Sequence, residues 1–515
     1  MKLSVLKMAL ATFCSRILGL VREQALAAVF GASGLTDAFT VAYRIPNLLR
    51  DLFAEGAFSS AFVPIFTEAG KRDEQSARRL FWSMFVVLLV VTGLISIFMI
   101  WKAQWLVLLA TDDLFARDFE RVALATSLLK VMAPFLTLIS LAALTMGALN
   151  ALRVFFLPSF APVFFNLVMI GCILILPPYA QKWGFHPMMA LGWGVIGGGL
   201  MQWLVQIPIL LKKNFGPTRV LSLWNSDVSR VLSRLGIGTV GIAATQINVL
   251  ITTILATGTV VGAVSWLTYA FRLFQFPVGI LSVSVAGSNL VHFSDDWKSG
   301  LNEKAIKTLR SSYILSFVLI VPALALMSAL IEETVVLVFQ RGAFSASDSM
   351  RTAIALKAYL VGLPFYGLYK IFAPVFFTLD RPKVPVTISV CAIGLNLIFC
   401  LLLVPHFGYP VLALGTSLSM AFNVLCQSVM LQRLLKLRLS FFFSLRLVKI
   451  FFAGACCYYV AELASGLVVF NELGLLHKIG SFVFSCTCGG VLYLILLWVL
   501  GERELFTKLI SRSKS

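Results

Sequence analysis

Long apolar runs separated by short polar links recur from residue 7 to residue 500. They lie near 7–30, 35–68, 80–101, 122–151, 155–178, 187–211, 228–256, 260–291, 311–330, 349–377, 384–404, 410–432, 446–468 and 479–500. Because roughly 20 helical residues cross a hydrocarbon core, the pattern predicts about fourteen transmembrane helices. The alternating ten-residue segments of a membrane barrel are not seen, and an unpaired backbone polar group is too costly in lipid for any other open structure. The predicted class is therefore an all-α polytopic membrane protein. Several runs are longer than a span needs, so tilts and kinks are expected, with Pro46, Pro134, Pro277 and Pro364 as the kink positions. The amphipathic stretch 103–121 reads equally well as an interfacial helix or a connecting loop.

Composition points the same way. With 59% hydrophobic and 13% charged residues and a mean hydropathy of +0.93, 515 residues carry more apolar surface than a soluble core could hide. A net charge of +19 would suggest nucleic acid as the partner of a soluble chain, but here Lys and Arg gather in the links. The links after even-numbered segments, with the helix ends flanking them and the C-terminal tail, hold about 25 of them, among them Lys71, Arg72, Arg78, Arg79, Lys212, Lys213, Arg433 and Lys436. The opposite links hold 7: Lys102, Arg117, Arg121, Lys182, Arg341, Arg351 and Lys478. The positive-inside rule then puts both termini in the cytoplasm and asks for an even number of spans. Arg16, Arg22 and Glu23 interrupt what would be a signal peptide's apolar region, so the first helix is expected to be retained.

A shift of 228 residues lays Thr40, Ala42 and Arg44 on Thr268, Ala270 and Arg272, and Ser60 and Val63 on Ser288 and Val291. This implies two six-helix lobes related by a parallel repeat, residues 1–213 and 214–435. Residues 436–515 then form an appendage of two helices and a cytoplasmic tail.

Charges inside the spans are the candidate chemistry. On the first helix Ser15, Arg16, Gly19, Arg22 and Glu23 fall within about 120° of one face. On the second, Asp37, Arg44, Asp51 and Glu55 share about 40°, with Asn47 flanking and Arg50 off the stripe unless Pro46 breaks the register. The eighth carries Arg272 near its middle, followed by Gln275 and Pro277. Snorkelling explains Arg78, Arg153 and Lys357 near helix ends. It does not explain mid-span charge, which costs at least ~2.5–3.5 kcal/mol at the bilayer centre. Arg16, Arg22, Arg50 and Arg272 should therefore face a wet cavity or carboxylates. Structural ion pairs, such as Arg16 with Glu23 or Arg44 with Asp51, are one alternative; a cationic site for an anionic ligand is the other, and guanidinium forks suit a phosphate or pyrophosphate.

Other chemistry is not visible. No phosphate-binding Gly-rich loop is present, the four His residues are scattered, and the nine Cys residues lie mostly inside apolar runs without metal-ligand spacing. The chain reads as a transporter rather than an enzyme, with no nucleotide, nucleic acid, metal or cofactor implied. Its energy source would be the membrane potential or an ion gradient.

At these same positions the chain resembles the MurJ (MviN) family of lipid II flippases, within the wider multidrug/oligosaccharidyl-lipid/polysaccharide exporter group. The most specific stretches are Ser15-Arg16-Ile17-Leu18-Gly19-Leu20-Val21-Arg22-Glu23, Thr36-Asp37-Ala38-Phe39, Pro46-Asn47-Leu48-Leu49-Arg50 and Phe53-Ala54-Glu55-Gly56-Ala57-Phe58. Further matches are Gly147-Ala148-Leu149-Asn150, Pro158-Ser159-Phe160-Ala161-Pro162 with Asn166, Val264-Ser265-Trp266 with Arg272, and Phe339-Gln340-Arg341-Gly342-Ala343-Phe344.

The resemblance implies an inner-membrane, alternating-access flippase. It would carry lipid II, an undecaprenyl-pyrophosphate-linked peptidoglycan precursor, from the inner to the outer leaflet. It also implies that Arg16, Arg22, Arg50 and Arg272 line the cavity, joined by Glu23, Asp37, Asn47, Glu55 and Ser265, and that the last two helices form a groove for the lipid tail. Glu23 stands where the family usually has Asp, and Phe271 and Gln275 stand where some relatives have acids. Some relatives bind sodium through carboxylates on the seventh and eleventh helices; here those helices offer only Asn248, Thr252 and Asn396, which argues against such a site. The rival readings are a cation-coupled drug or polysaccharide exporter of the same superfamily and a non-transporting membrane scaffold.

Overall fold

The computed structural model describes residues 2–54, 57–217, 225–281, 287–467 and 474–502. Among these residues every regular element is helical, and each of the fourteen apolar segments is occupied by helix. Nine helices among them are long and apolar enough to cross a membrane, or ten if the bent pair Ala346–Leu360 and Leu363–Thr378 counts as one span. The protein is thus an all-helical, multi-pass membrane protein. Gly34–Ala54 carries Asp37, Arg44, Arg50 and Asp51, too many charges for such a criterion.

The chain divides into two compact units, Met1–Ser265 with Arg341–Phe344, and Trp266–Gln340 with Ser345–Ser515. The first contains α1 (Lys2–Phe30), α2 (Gly34–Ala54), α3 (Ala57–Arg72), α4 (Glu74–Trp101), α5 (Phe119–Met132), α6 (Phe135–Ala151), α7 (Phe156–Ile175), α8 (Met189–Leu204) and α9 (Ser226–Thr257). The single run expected over 35–68 is helical on both sides of residues 55–56, which lie outside the described residues: α2 before them and α3 after them. The stretch 103–121 holds two short helices, Ala103–Leu109 and Asp113–Ala116. Prolines act differently from place to place. α5 ends and α6 begins around Pro134, whereas α2 runs on through Pro46.

The first unit's core is aromatic. Phe58, Phe62 and Phe66 form a ladder along α3, with ring centroids 5.4 and 5.2 Å apart, and Phe66 meets Phe215 at 5.5 Å. Where no water drives association, helices gain by approaching closely at small residues. On α8 a Cβ at Gly198 would lie 2.7 Å from the Phe165 ring, and one at Gly199 would lie 2.8 Å from the Phe135 ring.

The turn Arg341–Phe344 belongs to this unit because it finishes α1. A helix leaves its last carbonyls without intrahelical partners, and the Ala343 N–H supplies one, donating to the Ala28 carbonyl at 2.8 Å. Gly342 has φ +59°, and a Cβ there would run into that same carbonyl. Gly31, at φ +67°, faces Ala343, whose carbonyl oxygen would be 2.6 Å from an added Cβ.

In the second unit, α10 (Ala263–Leu281, of which the residues from Trp266 onward count here) is followed by α11 (Asn302–Ala329), α12 (Ala346–Leu360), α13 (Leu363–Thr378), α14 (Lys383–Phe407), α15 (Pro410–Leu435), α16 (Leu445–Gly466) and α17 (Leu475–Val499). α10 continues through Pro277, while α12 and α13 bend by 43° next to Pro364. Tyr313, Phe317, Phe372, Phe441, Ile450 and Tyr493 anchor this unit's core. α16 and α17 bury one stripe against each other and α11, and leave Val448, Phe452, Leu463, Val483, Leu494 and Trp498 outward, as lipid-facing helices do.

Candidate functional site

The polar face of α1 is met by α7. Arg22 Nη2 donates to Glu23 Oε1 at 2.6 Å, with the two side chains only 15% and 7% exposed. Arg22 Nη1 donates to Asn166 Oδ1 on α7 at 3.2 Å, and the guanidinium carbon lies 5.8 Å from the centre of the Phe165 ring. Phe165 continues into an aromatic wall through Phe135 and Tyr43, at 5.8 and 6.0 Å. Two of the five guanidinium N–H groups are thus engaged among the described residues. Arg16, two turns earlier, is exposed.

On α2, Arg50 donates twice to Asp51 Oδ1, from Nη2 at 2.6 Å and from Nε at 3.0 Å. The other carboxylate oxygen of Asp51 accepts from Gln246 on α9 at 2.8 Å. Arg50 is close enough to Arg22 for the two cations to repel each other. Pairing is therefore realised for both arginines, with the adjacent carboxylate as partner. Asn47 is half-buried, and its Oδ1 has no hydrogen-bond partner among the described residues. Glu55 lies outside the described residues.

Asp37 has a different setting. It is buried near the start of α2, and its carboxylate accepts from Gly262 N–H at 2.7 Å, Ser265 N–H at 2.9 Å and the Ser265 hydroxyl at 2.6 Å. These are first-turn donors of α10, so Asp37 supplies from another helix what an N-cap residue supplies locally, and its charge suits the helix dipole. Arg121 is near enough to attract the same carboxylate. Asp37 and Ser265 are thus brought together, and the carboxylate's oxygens are occupied by protein donors.

In the second unit, Arg272 is partly exposed, with Nη1 3.5 Å from Gln275 Oε1. Phe271 packs on Tyr359, with centroids 5.2 Å apart. The neighbouring Trp266 donates to Asp348 at 2.9 Å and takes Arg351 on its ring face at 4.6 Å. Asn248 accepts from Thr252 through its backbone carbonyl, and Asn396 accepts from Cys400 through its side chain at 3.4 Å.

Sequence reasoning left Asn166 and Gln246 out of the site. The signal for Asn166 was there, a lone amide in the apolar run 155–178. Gln246 gave none that distinguishes it from other polar residues of its helix.

The sequence model of the lipid II flippase MurJ family matches residues 26–480. The chain belongs to that family. It is 36% identical over 420 residues to the lipid II flippase MurJ of Burkholderia cenocepacia, covering 80% of each chain. It is 32% identical over 514 residues to a probable lipid II flippase MurJ of Buchnera aphidicola subsp. Baizongia pistaciae, covering 97% of each. Its fold is similar to a solved lipid II flippase MurJ in an inward closed conformation, with a TM-score of 0.79 and 23% identity over 97% of this chain and 99% of that one. An inward-facing multidrug resistance transporter of the MATE family is also similar in fold, with a TM-score of 0.67 and 14% identity over 82% and 94%.

Proposed function

We propose that this protein is a lipid II flippase of the bacterial inner membrane, moving the pyrophosphate-linked precursor from the inner to the outer leaflet by alternating access. The family match along residues 26–480 carries the reading. The geometry supplies a chemical reason. Arg22 and Arg50 hold two guanidinium groups within the first unit, and Arg22 keeps N–H groups uncommitted to protein among the described residues. A pyrophosphate can take such donors bidentately, in competition with Glu23 and Asp51. Arg16 adds charge from the same helix, and Arg272, which the repeat aligns with Arg44, is a cation of the second unit. Asp37 and Ser265 act by fixing the start of α10 rather than by touching the ligand.

The apolar tail stays in lipid, beside α16 and α17 in this proposal, while the head group crosses. Both termini are cytoplasmic, and residues 1–213 and 214–435 act as the two repeat-related lobes. An inside-negative potential pushes a −2 head group outward by about 4–5 kcal/mol per 100 mV, enough to drive the step without a nucleotide.

The test is rescue of peptidoglycan synthesis in cells depleted of their own lipid II flippase, paired with lipid II translocation in vesicles holding the purified protein. Rescue and protein-dependent translocation are expected. A chain that exports a cationic drug but leaves lipid II in place would overturn the reading.

A further inference from the structure

Asn166 stands outside the residues expected to bind substrate, yet it is the neutral partner of the arginine on which the proposed binding depends. It is 6% exposed, in a helix whose one other polar side chain is Ser159. The ordinary role of a lone amide between membrane helices is to join them. Its contacts are more directed than that role requires. Nδ2 donates to the Ser15 carbonyl of α1 at 3.2 Å and to the Pro162 carbonyl of its own helix at 3.1 Å, and Oδ1 accepts from Arg22 Nη1 at 3.2 Å.

The chemistry fixes which way the amide points. Turned over, its NH₂ would face guanidinium donors and its oxygen would face two carbonyl oxygens. Gly19 stands between Ser15 and Arg22 on α1, and even a Cβ there would be 3.9 Å from Nδ2, so that face lies open to the amide. Phe165, the preceding residue of α7, puts its ring near the same guanidinium. Two consecutive α7 residues thus fix Arg22, one at its edge and one at its face.

We infer that Asn166 is a positioning residue for substrate binding, holding the Arg22 guanidinium so that its remaining N–H groups are presented to the pyrophosphate. Glu23 cannot do this alone. Its carboxylate sits on the adjacent residue and cancels the charge it contacts. The Asn166 amide fixes direction and leaves the charge in place. This rests on Arg22 binding pyrophosphate as proposed above.

The test is lipid II binding to the full-length protein in lipid nanodiscs, comparing the native protein, Asn166→Leu, Arg22→Ala and the double variant. Binding is read rather than transport, so that a variant unable to flip still reports. Asn166→Leu should weaken binding at least about tenfold, the low end of the loss expected for one hydrogen bond to a charged group. With Arg22 already Ala, the same change should cost less than about twofold, because two residues acting through one contact are not additive. Equal weakening in both backgrounds would overturn the inference, since Asn166 would then act on the fold. Asn166→Asp has the same shape and keeps the acceptor, but adds a second negative charge beside Arg22. It should weaken binding per folded molecule, with some loss of melting temperature because its second oxygen faces the Ser15 and Pro162 carbonyls, and unchanged or tighter binding contradicts the inference. Native-like binding by Arg22→Ala would overturn the anion site itself, a failure visible without any Asn166 variant.

Discussion

Asp37 and Arg22 are both charged residues inside the first unit, and their surroundings differ in kind. Asp37 is fully used. Three donors from Gly262 and Ser265 converge on its carboxylate, and its work is to finish another helix. Arg22 meets one carboxylate, one amide and one ring, and keeps donors in reserve among the described residues. A buried charge with every bond satisfied belongs to the scaffold, whereas one held in place with donors to spare can bind a ligand. The charge itself does not separate the two roles; the count of committed bonds does.

The strongest way to break this contrast is Asp37→Leu, which leaves two amides and a hydroxyl buried without their acceptor. At roughly 1–3 kcal/mol for each orphaned group, the loss should be about 3 kcal/mol or more, read as a large fall in melting temperature in detergent. Asp37→Asn, which keeps one carbonyl oxygen, should lose less. If Asp37→Leu melts like the native protein, the carboxylate is not structural.

Gly342→Ala tests a second scaffold position in the same unit. The Ala28 carbonyl blocks the added Cβ, and the positive φ alone costs about 1–2 kcal/mol, so a melting temperature lowered by several degrees is expected. Translocation per folded molecule should hold. Arg22→Lys should do the reverse. It keeps the charge but loses the planar fork, and lipid II translocation should fall about tenfold, equivalent to about 1.4 kcal/mol, with little change in melting temperature. A wild-type rate would mean that Arg22 is a structural ion pair.

The smallest effect sharpens the role of solvent. Asp73 caps α4 as Asp37 caps α10, accepting from the Ser76 hydroxyl at 2.6 Å and its N–H at 2.5 Å, but it does so exposed. These bonds, the hydroxyl's first, hold its carboxyl below the usual carboxylate range. The stabilisation is therefore present above the unfolded-state pKa of about 4 and lost as pH falls through the lower folded value. Asp73→Ala should lower the melting temperature slightly at neutral pH, with the gap to native closing in acid. A gap that does not change with pH would assign the effect to packing.

Helices were legible because lipid imposes a length and a composition on them, and every apolar segment holds helix. The mid-span arginines were legible as costly charges, but their partners were not. A helical wheel sets neighbours about 100° apart, so Arg22–Glu23 and Arg50–Asp51 look unlikely to meet. The long arginine stem folds back and joins them. Asp37 and Ser265 meet across 228 positions, the same offset that aligns Arg44 with Arg272, but only the fold shows that one caps the other's helix.

The most direct test of the account is affinity. The native protein should bind lipid II at least about ten times more tightly than a neutral analogue in which the pyrophosphate is replaced by an uncharged linker. Arg22→Ala should erase most of that preference, measured per folded molecule because the change also strips the buried Glu23 of its partner. Equal affinity of the native protein for both lipids would contradict the claim that its buried arginines read the pyrophosphate.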